Sequence, residues 1–309
     1  MNKTNQSIAH KQQYQPPAFI RLFCNFVIEN GKNGYRVTVQ LESIRVMYYL
    51  TLFLFINIGK ILTVLFVEHD FTAIIMDVYG AKNVCTYLDF PPATYVLPFA
   101  YTFPMICLIA FNIASIFRIS VAYRERKISS FIRKSLNAAH VYILISAIWF
   151  GTCFAVQPDR NHPITMIVHS IPYLNLKIAW CALSISEVCF GSKVSWNNLF
   201  APKGRQLFVS VSWLFCVLQL IFTLVAITMI LNALGDMGQG GLVGKGLFWS
   251  VQDPMVKKVM DISVNNGEGI LDFHLPLLHA FYLSWIGFND ATRSHTISFT
   301  MSDSLKRVD

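Results

Sequence analysis

Residues Leu207–Leu234, LFVSVSWLFCVLQLIFTLVAITMILNAL, run without one acidic or basic side chain. A helix needs about 17–25 apolar residues to cross roughly 30 Å of hydrocarbon, and in a helix every backbone group is satisfied within the segment itself. The stretch reads as a transmembrane helix. Five further segments share its character: Ile44–Val67, Thr94–Phe117, Ala138–Val156, Ile164–Phe190 and Leu271–Phe288. The expected fold is all-α, a polytopic membrane protein built as a bundle of about six transmembrane helices. A polar segment, 1–43, precedes the membrane domain, 44–290, which carries a Gly-rich loop at 235–270, and a tail, 291–309, follows it.

Composition supports the same class. Of 309 residues 54% are hydrophobic and only 14% charged, with a mean hydropathy of +0.47, leaving too little charge to cover the surface of a water-soluble domain. The net charge of +8 does not point to nucleic acid, and no nucleic-acid partner is expected, because the basic residues sit in short clusters between apolar runs and no binding module is present. Those clusters orient the chain. Arg21, Lys32, Arg36 and Arg45 precede the first span, Arg118, Arg124, Arg126, Lys127, Arg133 and Lys134 fill the second connection, Lys193, Lys203 and Arg205 the fourth, and Arg293, Lys306 and Arg307 the tail. With six spans all lie on one side, so both termini are expected in the cytosol. The first forty residues lack the pattern of a cleaved signal peptide, and the first apolar helix is expected to direct insertion. Five of the seven cysteines, Cys107, Cys153, Cys181, Cys189 and Cys216, fall within or at the ends of apolar segments, where a thiol behaves as a small hydrophobe. Cys85 stands in an outer loop. Leu247–Val264, within the Gly-rich loop, reads either as an interfacial helix or as a lumenal loop clear of the membrane.

The fourth span departs from a lipid-facing pattern. At about 100° per residue His169, Tyr173, Lys177, Trp180, Ser184 and Glu187 fall on one narrow stripe. Pro172 lies within it and frees a carbonyl, which a membrane tolerates only beside protein or water. The stripe is expected to face inward, either as interhelical packing or as the lining of a polar site. Ser212, Cys216, Gln219 and Thr223 repeat the pattern on the fifth span, and Asp272, His279 and Asp290 share a face of the sixth, with Pro276 between the first two. Lys177 lies about 20 Å from either end of its span at 1.5 Å per residue, too deep to reach water easily. Its expected partners are Gln219, Asp272 or a bound phosphate. Lys60, on the first span, is expected to reach outward to the interface.

Signatures of catalysis are missing. There is no HExxH, GxSxG or GxxxxGK[ST] motif. His274 and His279 are splayed by about 140° on a helix, which suits one metal poorly. No catalytic residue, metal site or cofactor is assigned, and a non-enzymatic role is expected.

Tyr87-Leu88-Asp89-Phe90-Pro91-Pro92, leading into an apolar helix that ends in Arg118 and Tyr123-Arg124, resembles the approach to the second span of the damage-regulated autophagy modulators. The third-to-fourth hairpin, with Asn137, Phe150-Gly151, Phe154-Ala155-Val156-Gln157 and Val168-His169, resembles the same family. That six-span superfamily includes the Golgi factors that remodel the lipid of GPI anchors, the amino-terminal domain of a fungal cell-wall-biogenesis protein and plasma-membrane regulators of phosphoinositide synthesis. The resemblance covers roughly Ile44–Asp290. It implies six spans, cytosolic termini and an endomembrane location in the endoplasmic reticulum, Golgi or lysosome. It also implies lipid handling or regulation, with membrane lipids as partners, either anionic phospholipid or GPI-linked lipid. A headgroup would then lie among His169, Tyr173, Lys177, Trp180, Glu187, Gln219, Asp272 and His279. A solute transporter or channel, and a membrane scaffold without a small-molecule site, stand as the alternatives.

Overall fold

The computed structural model describes residues 27–31, 34–67, 87–157, 163–195, 202–237, 270–289 and 296–302. Its helices are α1 (Leu41–Phe66), α2 (Ala93–Ala100), α3 (Thr102–Arg124), α4 (Ser130–Phe150), α5 (Pro163–Phe190), α6 (Pro202–Met237) and α7 (Ile270–Asn289). A 3₁₀ turn, Gly151–Phe154, extends α4, and a π turn, Gly191–Ser195, follows α5. Five helical stretches among the described residues are long and apolar enough to cross a membrane: Leu41–Phe66, Ala93–Arg124, Ser130–Phe154, Val168–Val194 and Gln206–Ile227. This is an integral, multi-pass membrane protein by the length and apolarity of its helices.

The second stretch contains both α2 and α3. Pro98 and Pro104 have no amide hydrogen to donate, and the helix is interrupted between them at Tyr101. The interruption is tied down: the Tyr101 N–H reaches the Leu97 carbonyl at 2.8 Å, and its hydroxyl donates to the Ala147 carbonyl of α4 at 2.9 Å. Pro172 and Pro276, by contrast, are carried within α5 and α7 without ending them.

The bundle has a polar inside and an apolar outside. Ile58, Ile61, Leu65, Phe99, Phe103, Ile106, Ile145, Leu214 and Val217 are exposed, while Asn112, Ser115, His140, Lys177, Glu187 and Gln219 are buried. In water so large an apolar surface would drive association, whereas hydrocarbon solvates it. The central helix is α5, which buries 67% of its membrane window against 33–39% for the other four stretches. It packs against α4, α6 and α7, and α1 packs against α3 and α7. At Gly59 the wall of α1 comes so close to its neighbours that an added Cβ would stand 2.7 Å from Leu88 Cδ2 and 2.9 Å from Leu97 Cδ1.

The membrane bundle is all-helical as expected, and a small sheet lies outside it. Strands β1 (Val27–Gly31), β2 (Gly34–Gln40) and β3 (Thr296–Ser302) form an antiparallel sheet in that order, with Gln40 opposite Thr296 and Gly34 opposite Ser302. The polar N-terminal segment and the tail, separate in the sequence reading, share this sheet. The physical reason is legible in hindsight: Tyr35, Val37 and Val39 alternate with Arg36, Thr38 and Gln40, the period-2 pattern of a strand. The helix bounds also move. The third span begins at Ser130, and the second continues to Arg124, so that Arg118 is helical and not in a connection. The Gly-rich loop beyond Met237, Cys85 and Asp290 lie outside the described residues.

Candidate functional site

The buried polar groups form three clusters at different depths. The first lies at the basic end, where α1 and α4 begin and α3 and α5 finish. Arg45 donates to Glu187 Oε2 and stands 2.7 Å from Glu42 Oε2. Arg118 reaches Glu187 at 3.2 Å and Glu42 at 4.0 Å. His140 places Nε2 3.4 Å from Glu187 Oε1, and its Nδ1 meets Asn112 Oδ1 at 2.7 Å. The Arg45 guanidinium lies over the Phe111 ring and that of Arg118 over Phe190. Two guanidinium groups face two carboxylates, so the formal charges cancel, which is the condition for burying ions at tolerable cost. The sequence reading took Arg45 and Arg118 as orientation signals in the connections. The structure turns both inward.

The second cluster lies midway through the bundle. The Trp180 indole donates to the Tyr48 hydroxyl at 2.9 Å. Ser184 donates to Gln219 Oε1 at 2.9 Å, and Gln219 Nε2 meets His279 Nδ1 at 3.1 Å, linking α5, α6 and α7. Because the amide nitrogen is the donor, His279 accepts at Nδ1 and carries its hydrogen on Nε2, which has no hydrogen-bond partner among the described residues. The His279 ring stacks on Phe215. Lys177 is buried, its ammonium 5.7 Å from the centre of the Tyr173 ring. Lys177, Trp180, Gln219, Thr223, Leu275 and Pro276 line a cavity of ≈ 10 Å³, about the room of one water.

The third cluster lies at the opposite end. His169 Nδ1 meets the Val156 carbonyl at 2.9 Å, and Cys153 donates to the His169 carbonyl at 3.0 Å. The other ring nitrogen of His169 stands 3.6 Å from Asp89 Oδ1. Burial pushes the Asp89 carboxyl up to about 8. Nearby, Thr63 donates to the Tyr87 carbonyl at 2.7 Å, tying α1 to the segment before α2.

All six stripe residues of α5 are therefore buried, but they do not line one site. His169 belongs to the third cluster, Tyr173, Lys177, Trp180 and Ser184 to the second, and Glu187 to the first. Gln219 and His279 join the second. The side chain of Asp272 lies outside the described residues, and with it the proposed contact to Lys177. Lys60 stands with its ammonium 5.5 Å from the centre of the Tyr87 ring, partly exposed. The sequence reading missed Glu42, Arg45, Arg118 and Asn112, and also Asn175, which accepts from Tyr142 and donates to Ser146, both at 2.7 Å. Arg45 and Glu42 carried a signal, since acid and base three residues apart at a helix start face each other. Among the described residues no group of three or more His, Cys, Asp or Glu side chains is placed to hold a metal ion. The chain matches no protein-family model, no curated protein and no solved structure.

Proposed function

We propose that this chain crosses the membrane six times, keeps both termini in the cytosol, and handles or regulates lipid within the endomembrane system, as the superfamily it resembles does. Parity supports the topology. β2 leads directly into α1 and β3 follows α7, so their pairing brings the N-terminal segment and the tail to one side, as an even number of crossings requires. The positive charge of the second and fourth connections makes that side cytosolic.

The observation that carries the lipid reading is one small cavity at mid-membrane depth lined by Lys177 of α5, Gln219 of α6 and Pro276 of α7, with His279 hydrogen-bonded to Gln219 behind it. The Nε2–H of His279 is buried without a hydrogen-bond partner among the described residues, and an anionic group in this polar interior would suit both it and the Lys177 ammonium. The cavity admits about one water, so a headgroup would enter as α7 moves away from α6, beside Pro276.

Mass spectrometry of the detergent-purified protein tests the reading. A specific phospholipid should co-purify with the native chain and be lost from Lys177→Met at unchanged abundance. Retention of that lipid by Lys177→Met sinks the interior site. Absence of any specific lipid from the native chain favours the scaffold.

A further inference from the structure

A second feature lies on the surface at the basic end. Where α3 stops and α4 starts, Arg124, Arg126, Lys127, Ser129 and Lys193 border a groove of ≈ 540 Å³. The backbone builds it. Arg126 adopts φ 59°, and the N–H groups of Arg126 and Lys127 bond back to the Tyr123 and Ala122 carbonyls at 3.0 and 2.9 Å, closing α3 with a left-handed residue. The chain then turns at once into α4, whose first turn is capped by Ser129, which accepts from the Ile132 N–H at 3.3 Å. Lys193 arrives from a third direction, the π turn that follows α5.

Charge defines the occupant. Four cations border the groove, and among the described residues the carboxylate paired with them is Glu125, 2.8 Å from Lys127, so the lining is predominantly positive. The positive end of α4 adds roughly half a charge. Arg133, lying over the Tyr123 ring at 4.2 Å, extends the basic rim. A phosphodiester carries one negative charge, whereas a phosphomonoester by itself carries about 1.5–2 and matches this lining better. The surroundings are amphipathic as well. Phe117, Val121 and Phe131 are exposed on α3 and the first turn of α4, at the same end of the bundle. A soluble anion has no use for such a surface, and an acyl chain does.

We propose that this groove binds the headgroup of a membrane phospholipid that carries a phosphomonoester, with the acyl chains lying along Phe117, Val121 and Phe131. The proposal shares with the functional reading above only the membrane placement of the bundle, and it does not depend on Lys177.

The full chain in phosphatidylcholine nanodiscs, which leave both faces open, is titrated with short-chain phosphatidylinositol 4-phosphate, phosphatidic acid and phosphatidylserine. Both phosphomonoester lipids should bind saturably and at least about tenfold tighter than phosphatidylserine. Arg124→Gln with Lys193→Gln should weaken them about 10–30-fold, the worth of two basic side chains near a charged surface. Glu125→Gln, which removes the opposing carboxylate, should tighten them, and Lys134→Gln should change nothing. Equal binding of phosphatidylserine overturns the proposal, as does an effect of Lys134→Gln as large as that of the groove pair, since either means general polybasic attraction. Loss of binding in Lys177→Met alone transfers the lipid to the interior site. Soluble inositol 1,4-bisphosphate binding as tightly as the lipid rejects the membrane source.

Discussion

Arg45, near the start of α1, donates to Glu187, near the end of α5, across 142 residues of chain and with both side chains buried. Arg118 from α3 shares the same carboxylate and His140 from α4 approaches it, so one acid organises four helices. Glu42 supplies the second negative charge and brings the formal sum of acids and guanidinium groups to zero. In a medium that solvates ions poorly, neutrality of the whole cluster matters more than any single contact.

Neutrality makes a distinct forecast. Glu187→Gln leaves two buried guanidinium groups facing one carboxylate and should cost about 3–5 kcal/mol. Arg45→Met combined with Glu187→Met leaves Arg118 with Glu42 and should be more stable than either Met variant alone. Thermal unfolding in detergent, read by fluorescence-detected gel filtration, ranks the four proteins. A double variant no better than its worse parent would show that charge balance is not what holds this end together.

Gly59 tests packing where the ion cluster tests charge. An added Cβ meets the tips of Leu88 and Leu97, both buried. Those tips have some freedom to move, so Gly59→Ala should be mild, its clash offset by about 1 kcal/mol of gained helix propensity. Gly59→Val presents a branch that cannot turn away and should cost about 1–3 kcal/mol. Equal melting temperatures for the two variants would mean that α1 does not approach the Leu88 segment this closely.

Asp89 gives a pH dependence of known sign. Its carboxyl ionises near 8 in the folded protein and near 4 in an unfolded chain. Between those values the folded state holds a proton that the unfolded state has lost. Its stabilising contribution is therefore complete below about pH 4, declines as pH rises, and is gone above about 8. The native protein should melt several degrees lower at pH 9 than at pH 5, and Asp89→Asn should flatten that difference. An unchanged slope in Asp89→Asn would assign the pH dependence to other groups.

Topology can be checked independently of stability. Asn2-Lys3-Thr4 and Asn5-Gln6-Ser7 are glycosylation acceptors by sequence, and on the cytosolic side they should stay unmodified. Epitopes placed at the two termini should be protected or digested together when sealed vesicles are treated with protease. Modification of either asparagine, or opposite protection of the two tags, would exclude an even span count with cytosolic ends.

How much of this was legible without coordinates depends on the range of the interaction. The apolar runs, the inward stripe of α5 and the clustering of basic residues are local patterns, set by helix periodicity and by the cost of exposing backbone or charge to hydrocarbon. They were sufficient for a multi-pass helical membrane protein with α5 turned inward. The strand alternation of Tyr35–Gln40 and Thr296–Ser302 was also written in the chain, yet two short alternating segments become a sheet only if they meet, and some 255 residues lie between them. The same limit applied to charge. Arg118 looks like any basic residue flanking a span, and nothing local tells it apart from Arg124 or Lys127, which remain at the surface, while Arg45 differs locally only in having Glu42 three residues before it. Only the packing of α1 and α3 against α5 brings Glu187 within reach, and a carboxylate in low dielectric draws inward the cations that water would otherwise have kept. Periodicity placed His169, Lys177 and Glu187 on one stripe. Tertiary structure distributed them among three clusters, because a stripe some 27 Å long at 1.5 Å per residue meets different neighbours at each depth of the membrane.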